Sequence, residues 1–232
     1  MSFYNEGPSG AIDPTPVIGM IGLIQPAPGS RLKARGQRRF LQPPASSLQP
    51  VTAGFKDEGD GIVLLGKTRE ELGGSEYLAA IHGRKVGRPP RVDLPQEYAL
   101  QRLMVAAHAR RLLKSAHDCS DGGLAVALAE CCISDERRLI GAVIASRFTL
   151  HASRIRPDAL LFGESAGRIV VSCAPDTVER LLRLAKRHGV PAAVIGRVGG
   201  ARLAIEPWVD APVVTLSDAW RASLQTMLGA VS

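Results

Sequence analysis

Residues 117–123, His-Asp-Cys-Ser-Asp-Gly-Gly, place an imidazole, two carboxylates and a hydroxyl ahead of the nearly all-apolar run LAVALAECC (124–132). Asp118 and Asp121 offer hard oxygen ligands of the kind Mg²⁺ takes. Ser120 can donate to a phosphate oxygen. Gly122 and Gly123 would let backbone N–H groups approach an anion at a helix N-terminus, where the helix dipole favours negative charge. Carboxylates repel a bare phosphate, so a metal between the two is the workable arrangement. The same residues also suit plain capping, with Ser120 or Asp121 as the N-cap and the glycines as the turn. Spacing alone leaves both readings open.

A second constellation is LFGESAGRIVVS (161–172), read as a strand ending in Gly-Glu-Ser and a new strand starting at Gly167–Arg168. Glu164, Ser165 and Arg168 could meet a ligand at a sheet edge. The alternative is a polar turn with a Glu–Arg pair, worth about 0–1 kcal/mol if exposed. At the N-terminus, SFYNE (2–6) carries Ser2, Asn5 and Glu6. His82, His108, His151 and His188 show no ligand spacing, and no Ser–His–Asp or Cys–His arrangement can be inferred, so no residue is assigned as catalytic. Cys119, Cys131, Cys132 and Cys173 form no C-x-x-C pair and read as buried free thiols rather than zinc ligands or a disulfide framework.

These groups need elements to hold them. GIVLLG (61–66) reads as a strand, and GGSEYLAAIHG (73–83) as a short helix closed by Gly83. Over 96–114, Leu100, Leu103, Met104, Ala107 and Leu112 recur at helical spacing, with Arg110, Arg111 and Lys114 at the negative end of the dipole. The helix opened by the first motif runs to about Ile133. Strands follow at 139–146 and 167–173. A helix over 176–188 has Asp176 and Glu179 as a capping pair, Leu181, Leu182 and Ala185 as its inner stripe, and Gly189 as its end. AAVIGRVG and ARLAIE read as a strand pair joined at Gly199–Gly200. A last helix starts at Ser217, with Ala219, Trp220, Leu224 and Leu228 inward. Strands alternating with helices imply an α/β (α+β) fold, a mixed sheet packed with helices.

The chain has 232 residues, is 45% hydrophobic and only 4% aromatic, so aliphatic side chains must build its core. No apolar run reaches the ~18–20 residues that span a bilayer. With no signal peptide visible in MSFYNEGPSG, the expectation is a soluble, cytoplasmic chain. The net charge of +7 is local, since Arg31, Lys33, Arg35, Arg38 and Arg39 fall within nine residues. No aromatic ladder accompanies them, so a solvated basic loop is expected and no nucleic-acid or membrane partner. PVIGMIGLI (16–24) reads as a buried strand. Residues 25–54 hold five prolines and no acidic residue and read as a linker. The division expected is 1–24, a basic Pro-rich linker at 25–54, and a domain at 55–232.

Five stretches in order carry a resemblance: SFYNE…DPTPVIGMIGLI, FKDEGDGIVLLGKTREELGGSEYL, KSAHDCSDGGLAVALAECCIS, LFGESAGRIVVS and VPAAVIGRVGG. Together they resemble the C-terminal part of the synthetase subunit of phosphoribosylformylglycinamidine synthase, within the aminoimidazole ribonucleotide synthetase-like superfamily. The resemblance implies that 1–24 is the tail of the second N-type domain and 55–232 the second C-type domain. It implies an ATP-dependent carbon–nitrogen ligase of purine biosynthesis, acting on formylglycinamide ribonucleotide with ATP, Mg²⁺ and ammonia from a glutaminase subunit or domain. ATP would activate the amide oxygen as a leaving group, with Mg²⁺ neutralising the transferring phosphoryl group.

Carried over residue by residue, the resemblance makes Ser2 a substrate contact, Asp118 a magnesium ligand and Ser120 a nucleotide contact. The family's G-E-S-Q-G-R reads Gly163-Glu164-Ser165-Ala166-Gly167-Arg168 here, and losing the glutamine amide at Ala166 weakens a ligand role for that loop. The family's catalytic histidine, ATP-contacting lysine and most magnesium ligands belong to N-terminal synthetase domains with no counterpart in these residues. A truncated or misannotated reading frame, inactive alone, is therefore expected. The alternative is a non-catalytic nucleotide-binding or interaction module of the same fold.

Overall fold

The computed structural model describes residues 6–7, 10–11, 50–145 and 155–229, with side chains to 222. It divides the chain into two units, Met1–Ser47 and Leu48–Ser232. In the first, strands β1 (Glu6–Gly7) and β2 (Gly10–Ala11) pair antiparallel. Ser2, the expected strand at 16–24 and the basic segment 31–39 lie outside the described residues.

The second unit is built on a seven-stranded sheet. Its strands are β3 (Gly61–Leu65), β4 (Ser115–Asp118), β5 (Ala142–Ile144), β6 (Ile169–Cys173), β7 (Ala192–Val198), β8 (Arg202–Ile205) and β9 (Val209–Pro212). They lie in the order β4-β6-β3-β7-β5-β8-β9. All neighbours are antiparallel except β5 and β8, which run parallel. The sheet is mixed, as expected. Its helices are α1 (Glu76–His82), α2 (Leu94–Ala109), α3 (Gly123–Ile133), α4 (Pro157–Phe162), α5 (Val178–Arg187) and α6 (Val213–Gly229).

Two apolar layers flank the sheet. On one face Ile62, Leu64, Val170 and Ile195 pack with Leu124, Leu128, Cys131 and Cys132 of α3, and with Leu161 and Val213 of α4 and α6. On the other, Val63, Leu65, Val171 and Cys173 meet Leu100, Leu103 and Ala107 of α2 and Leu181, Leu184 and Ala185 of α5. Successive residues of β3 thus point to opposite layers, which explains why GIVLL is apolar without alternation and buried throughout. Each fully buried Leu or Ile stabilises by about 1.5–3 kcal/mol. Helix α3 is apolar apart from Glu130, and all of it but Val126, Ala129 and Glu130 is buried.

Several expectations need correction. AAVIGRVG and ARLAIE do not pair, because β5 sits between β7 and β8. Helix α2 stops at Ala109, and Arg111 at φ 53 turns the chain toward β4. Lys114 therefore does not serve the helix dipole; its Nζ donates to Asp60 Oδ1 at 2.6 Å and Asp57 Oδ2 at 2.9 Å. LF of LFGES ends helix α4 and not a strand. Asp176 does not cap α5; it lies in a 3₁₀ turn, Pro175–Thr177. The stripe of α5 is Leu181, Leu184 and Ala185, with Leu182 only partly buried. Helix α6 begins at Val213, four residues before Ser217, so Val213 and Ser217 face inward while Ala219 and Trp220 are exposed. The side chains of Leu224 and Leu228 lie outside those described.

Candidate functional site

The turn 117–122 joins the edge strand β4 to the buried helix α3. Strand β4 exists because Ser115–Asp118 pairs with Ile169–Ser172 of β6, with Ser115 Oγ and Ser172 Oγ 2.7 Å apart beneath it. The strand delivers Asp118 at its end. Gly122, at φ 75, is the N-cap of α3, and no side chain of the turn caps the helix. Gly123, at φ 71, lets α3 start against α4: a Cβ there would stand 2.6 Å from the Gly163 carbonyl oxygen.

The capping group comes from 42 residues away. Glu164 Oε1 accepts from Gly122 N at 2.9 Å and from Glu76 N at 2.8 Å, so one carboxylate closes the N-termini of α3 and α1 together. Gly123 N donates to the Ser120 carbonyl at 3.0 Å. Both glycine amides are therefore already bonded within the chain. The expectation that they cradle an anion is corrected, and so is the expectation that Ser120 or Asp121 caps the helix.

The rest of the loop 163–168 is likewise held internally. Arg168 is 2% exposed. Its guanidinium donates to the Gly163 carbonyl, to the Ser165 carbonyl at 3.2 Å and to Thr68 Oγ1 at 3.3 Å. Burial pulls its pKa down, and the fields of Cys119, Glu71 and Glu164 oppose that. Ser165 Oγ accepts from Arg69 N at 3.2 Å and donates to Arg69 O at 3.3 Å. Of the two readings of Glu164, Ser165 and Arg168, the structural polar turn is the one that forms, though without a direct Glu164–Arg168 ion pair.

What remains open is the turn itself. The Asp118 side chain is 67% exposed. Ser120 and Asp121 are exposed as well. Ser120 Oγ donates to Asp118 Oδ2 at 2.6 Å, which sets hydroxyl and carboxylate side by side. His117 is tied down behind them, with Nδ1 2.8 Å from the Asp118 carbonyl oxygen and Nε2 3.0 Å from Glu130 Oε2. Asp118 and Ser120 line a cleft of about 700 Å³ with Glu97 and Met104 of α2 and with Glu164, Ser165 and Arg168 of the internally bonded loop. That volume lies within the range of small-molecule sites. Glu97, on α2, has no counterpart among the residues singled out from sequence; its signal would have been only an acidic residue in a helix that packs on this loop.

Among the described residues no three His, Cys, Asp or Glu side chains gather as a metal cage. One exposed carboxylate beside a hydroxyl fits a different arrangement, an Mg²⁺ that keeps most of its waters and arrives with phosphate oxygens. The four cysteines are buried free thiols. Burial pushes Cys119 and Cys173 up to about 11 and Cys132 to about 12, and raises Cys131 as well, so all four stay protonated at neutral pH.

Residues 57–206 match the family model described as AIR synthase related protein, C-terminal domain. The chain belongs to that family. It is 40% identical over 235 residues to the phosphoribosylformylglycinamidine synthase subunit PurL of Anaeromyxobacter sp. (strain Fw109-5), covering 98% of this chain and 27% of that protein. The PurL subunit of Moorella thermoacetica is likewise 40% identical, over 98% of this chain and 28% of its own length. The chain thus spans about a quarter of the length of the curated relatives it matches, corresponding to a C-terminal portion of them. Among solved structures, Thermotoga maritima PurL complexed with FGAR superimposes with a TM-score of 0.61 at 21% identity, over 72% of this chain and 29% of that one. The form complexed with ATP gives 0.54 over 72% and 27%. This likeness shows the fold, a mixed sheet packed with helices. No helix among the described residues is long and apolar enough to cross a membrane.

Proposed function

We propose that this chain is the C-terminal portion of a phosphoribosylformylglycinamidine synthase synthetase subunit, and that its cleft at Asp118–Ser120 is one wall of a nucleotide-and-magnesium site. The observation that carries the reading is the contrast within the site. The fold uses Glu164, Ser165 and Arg168 to close itself, yet leaves Asp118 and Ser120 paired, exposed and unneeded for capping. Alignment of 98% of this chain with about a quarter of the length of PurL subunits supports the same reading.

In this reading Asp118 holds Mg²⁺ and Ser120 donates to a phosphate oxygen of ATP or ADP. When bound, Mg²⁺ supplies charge neutralisation at the phosphates. Ser2 contacts formylglycinamide ribonucleotide. Residues 1–24 are the tail of an N-type domain, 25–54 a linker and 55–232 a C-type domain. The whole enzyme is an ATP-dependent carbon–nitrogen ligase of the cytoplasm that receives ammonia from a glutaminase. Catalysis needs substrate, nucleotide and metal held together, and the groups that do so are supplied by N-terminal synthetase domains. The 232-residue chain alone therefore binds without turnover. The test is ammonia-dependent ADP release with formylglycinamide ribonucleotide: none is expected, and clear turnover by the purified chain overturns the assignment of roles.

A further inference from the structure

On the sheet face that carries α2 and α5, those two helices leave an open groove of about 770 Å³ between them. Its floor is apolar, made by Leu112 and Leu184, which are 3% and 2% exposed. Its rim is cationic: Arg110 from the end of α2, and Arg180, Arg183, Lys186 and Arg187 from α5. All five are exposed. No carboxylate lines the groove.

The charges of this cluster are both unpaired and crowded. The side chains of Arg180, Arg183, Lys186 and Arg187 have no hydrogen-bond or ion-pair partner among the described residues. Some cations elsewhere are paired, as in Lys114–Asp60, Arg156–Asp158 and Arg202–Asp210, and others such as Lys67, Arg88 and Arg197 are not, among the described residues. What distinguishes this cluster is its crowding around one groove without a carboxylate. Helix geometry does not account for it either. Lys186 and Arg187 suit the negative end of the α5 dipole, but Arg180 stands in the first turn, where a cation is disfavoured. Five like charges crowded around one groove repel one another, and an anion relieves that repulsion.

We propose that the groove docks an acidic polypeptide segment that carries carboxylates on both sides of an apolar side chain. The leucine floor seats the apolar side chain, and the arginine forks take carboxylates bidentately. A free phosphate would leave the floor unused. A single-stranded nucleic acid would find no aromatic ring in the lining on which to stack a base. The proposal is independent of the nucleotide site.

The test is fluorescence anisotropy of the full chain with a labelled peptide bearing a central leucine between two pairs of glutamates. Saturable, salt-weakened binding is expected, about tenfold weaker for the Arg183→Ser/Arg187→Ser variant and unchanged for Asp118→Asn. Replacing the peptide's leucine with serine should weaken binding several-fold. The substituted arginines are exposed, so the unfolding midpoint should fall only slightly, by the lost helix propensity and dipole contribution; Arg180→Ser/Lys186→Ser is the second variant and should show the same loss of binding. Absence of saturable binding, binding that survives both double variants, or equal affinity for the serine peptide would overturn the proposal. So would an oligonucleotide of the same charge that binds more tightly and displaces the peptide.

Discussion

The loop 163–168 and the turn 117–122 face each other across the start of α3, and both are rich in polar side chains. In the loop every such group is consumed: Glu164 caps two helices, Arg168 ties the loop to itself and to Thr68, and Ser165 clasps Arg69. In the turn, Asp118 and Ser120 bond chiefly to each other; both regions line the same cleft, but only the turn's side chains are left exposed there. Polarity alone therefore does not separate ligand-binding residues from structural ones. What separates them is whether the fold has already used their hydrogen-bonding capacity.

That difference can be broken experimentally. The largest effect should come from Arg168→Met, which strips donors from two buried carbonyls and a threonine hydroxyl and should cost about 3 kcal/mol. Urea unfolding measures it as a lower midpoint. Next, Glu164→Ala removes the shared cap and should cost about 1–2 kcal/mol, while Glu164→Gln keeps an acceptor oxygen and should restore most of the loss. Asp118→Asn should move stability by less than about 0.5 kcal/mol, since its exposed carboxylate meets only the Ser120 hydroxyl and, at 3.5 Å, His117 Nδ1. The same substitution should weaken Mg-ADP binding at least about tenfold, as titration calorimetry would show.

The smallest effect concerns pH and a pair remote from the site. The hydrogen bond from Lys114 holds the Asp57 carboxyl below the usual carboxylate range, against a little desolvation. Its contribution is present above the ordinary carboxylate pKa and is lost as pH falls through the lowered folded value. Asp57→Asn should therefore flatten the acid limb of stability below about pH 4. It should also trim the alkaline limb, because Lys114, which burial pulls down, is left raised by hydrogen bonds to Asp60 and to Asp57 itself.

Local signals in the sequence were reliable where the controlling contacts are local. GIVLL could only be a buried strand, and Ser75 and Gly83 bracket α1 as N-cap and C-cap. The stripe Leu100, Leu103, Ala107 placed α2 correctly against the sheet. Non-local contacts were not legible. SAHD has no strand-like apolarity and forms β4 only because β6 pairs with it. The Gly199–Gly200 turn looked like a hairpin until β5, more than fifty residues earlier in the chain, inserted between the two strands. Helix α4 did carry a signal, Pro157 and Asp158 in its first turn, which the strand reading of LFGES overlooked. The cap on α3 could not be assigned from its own turn, because the capping carboxylate arrives from Glu164. Asp118 and Ser120 owe their assigned roles to the family resemblance and not to local geometry; the fold sets the two side by side, while the amide cradle expected beside them is already filled.

The central claim is that the turn 117–122 is kept free for a ligand. Titrating Mg-ADP into the wild-type chain and into Asp118→Asn, with urea unfolding of both, tests it most directly. The account predicts magnesium-dependent binding by the wild type, at least about tenfold weaker in the variant, at an unchanged unfolding midpoint. Equal affinity in the two proteins, no binding to the wild type, or a lowered midpoint for the variant would contradict it.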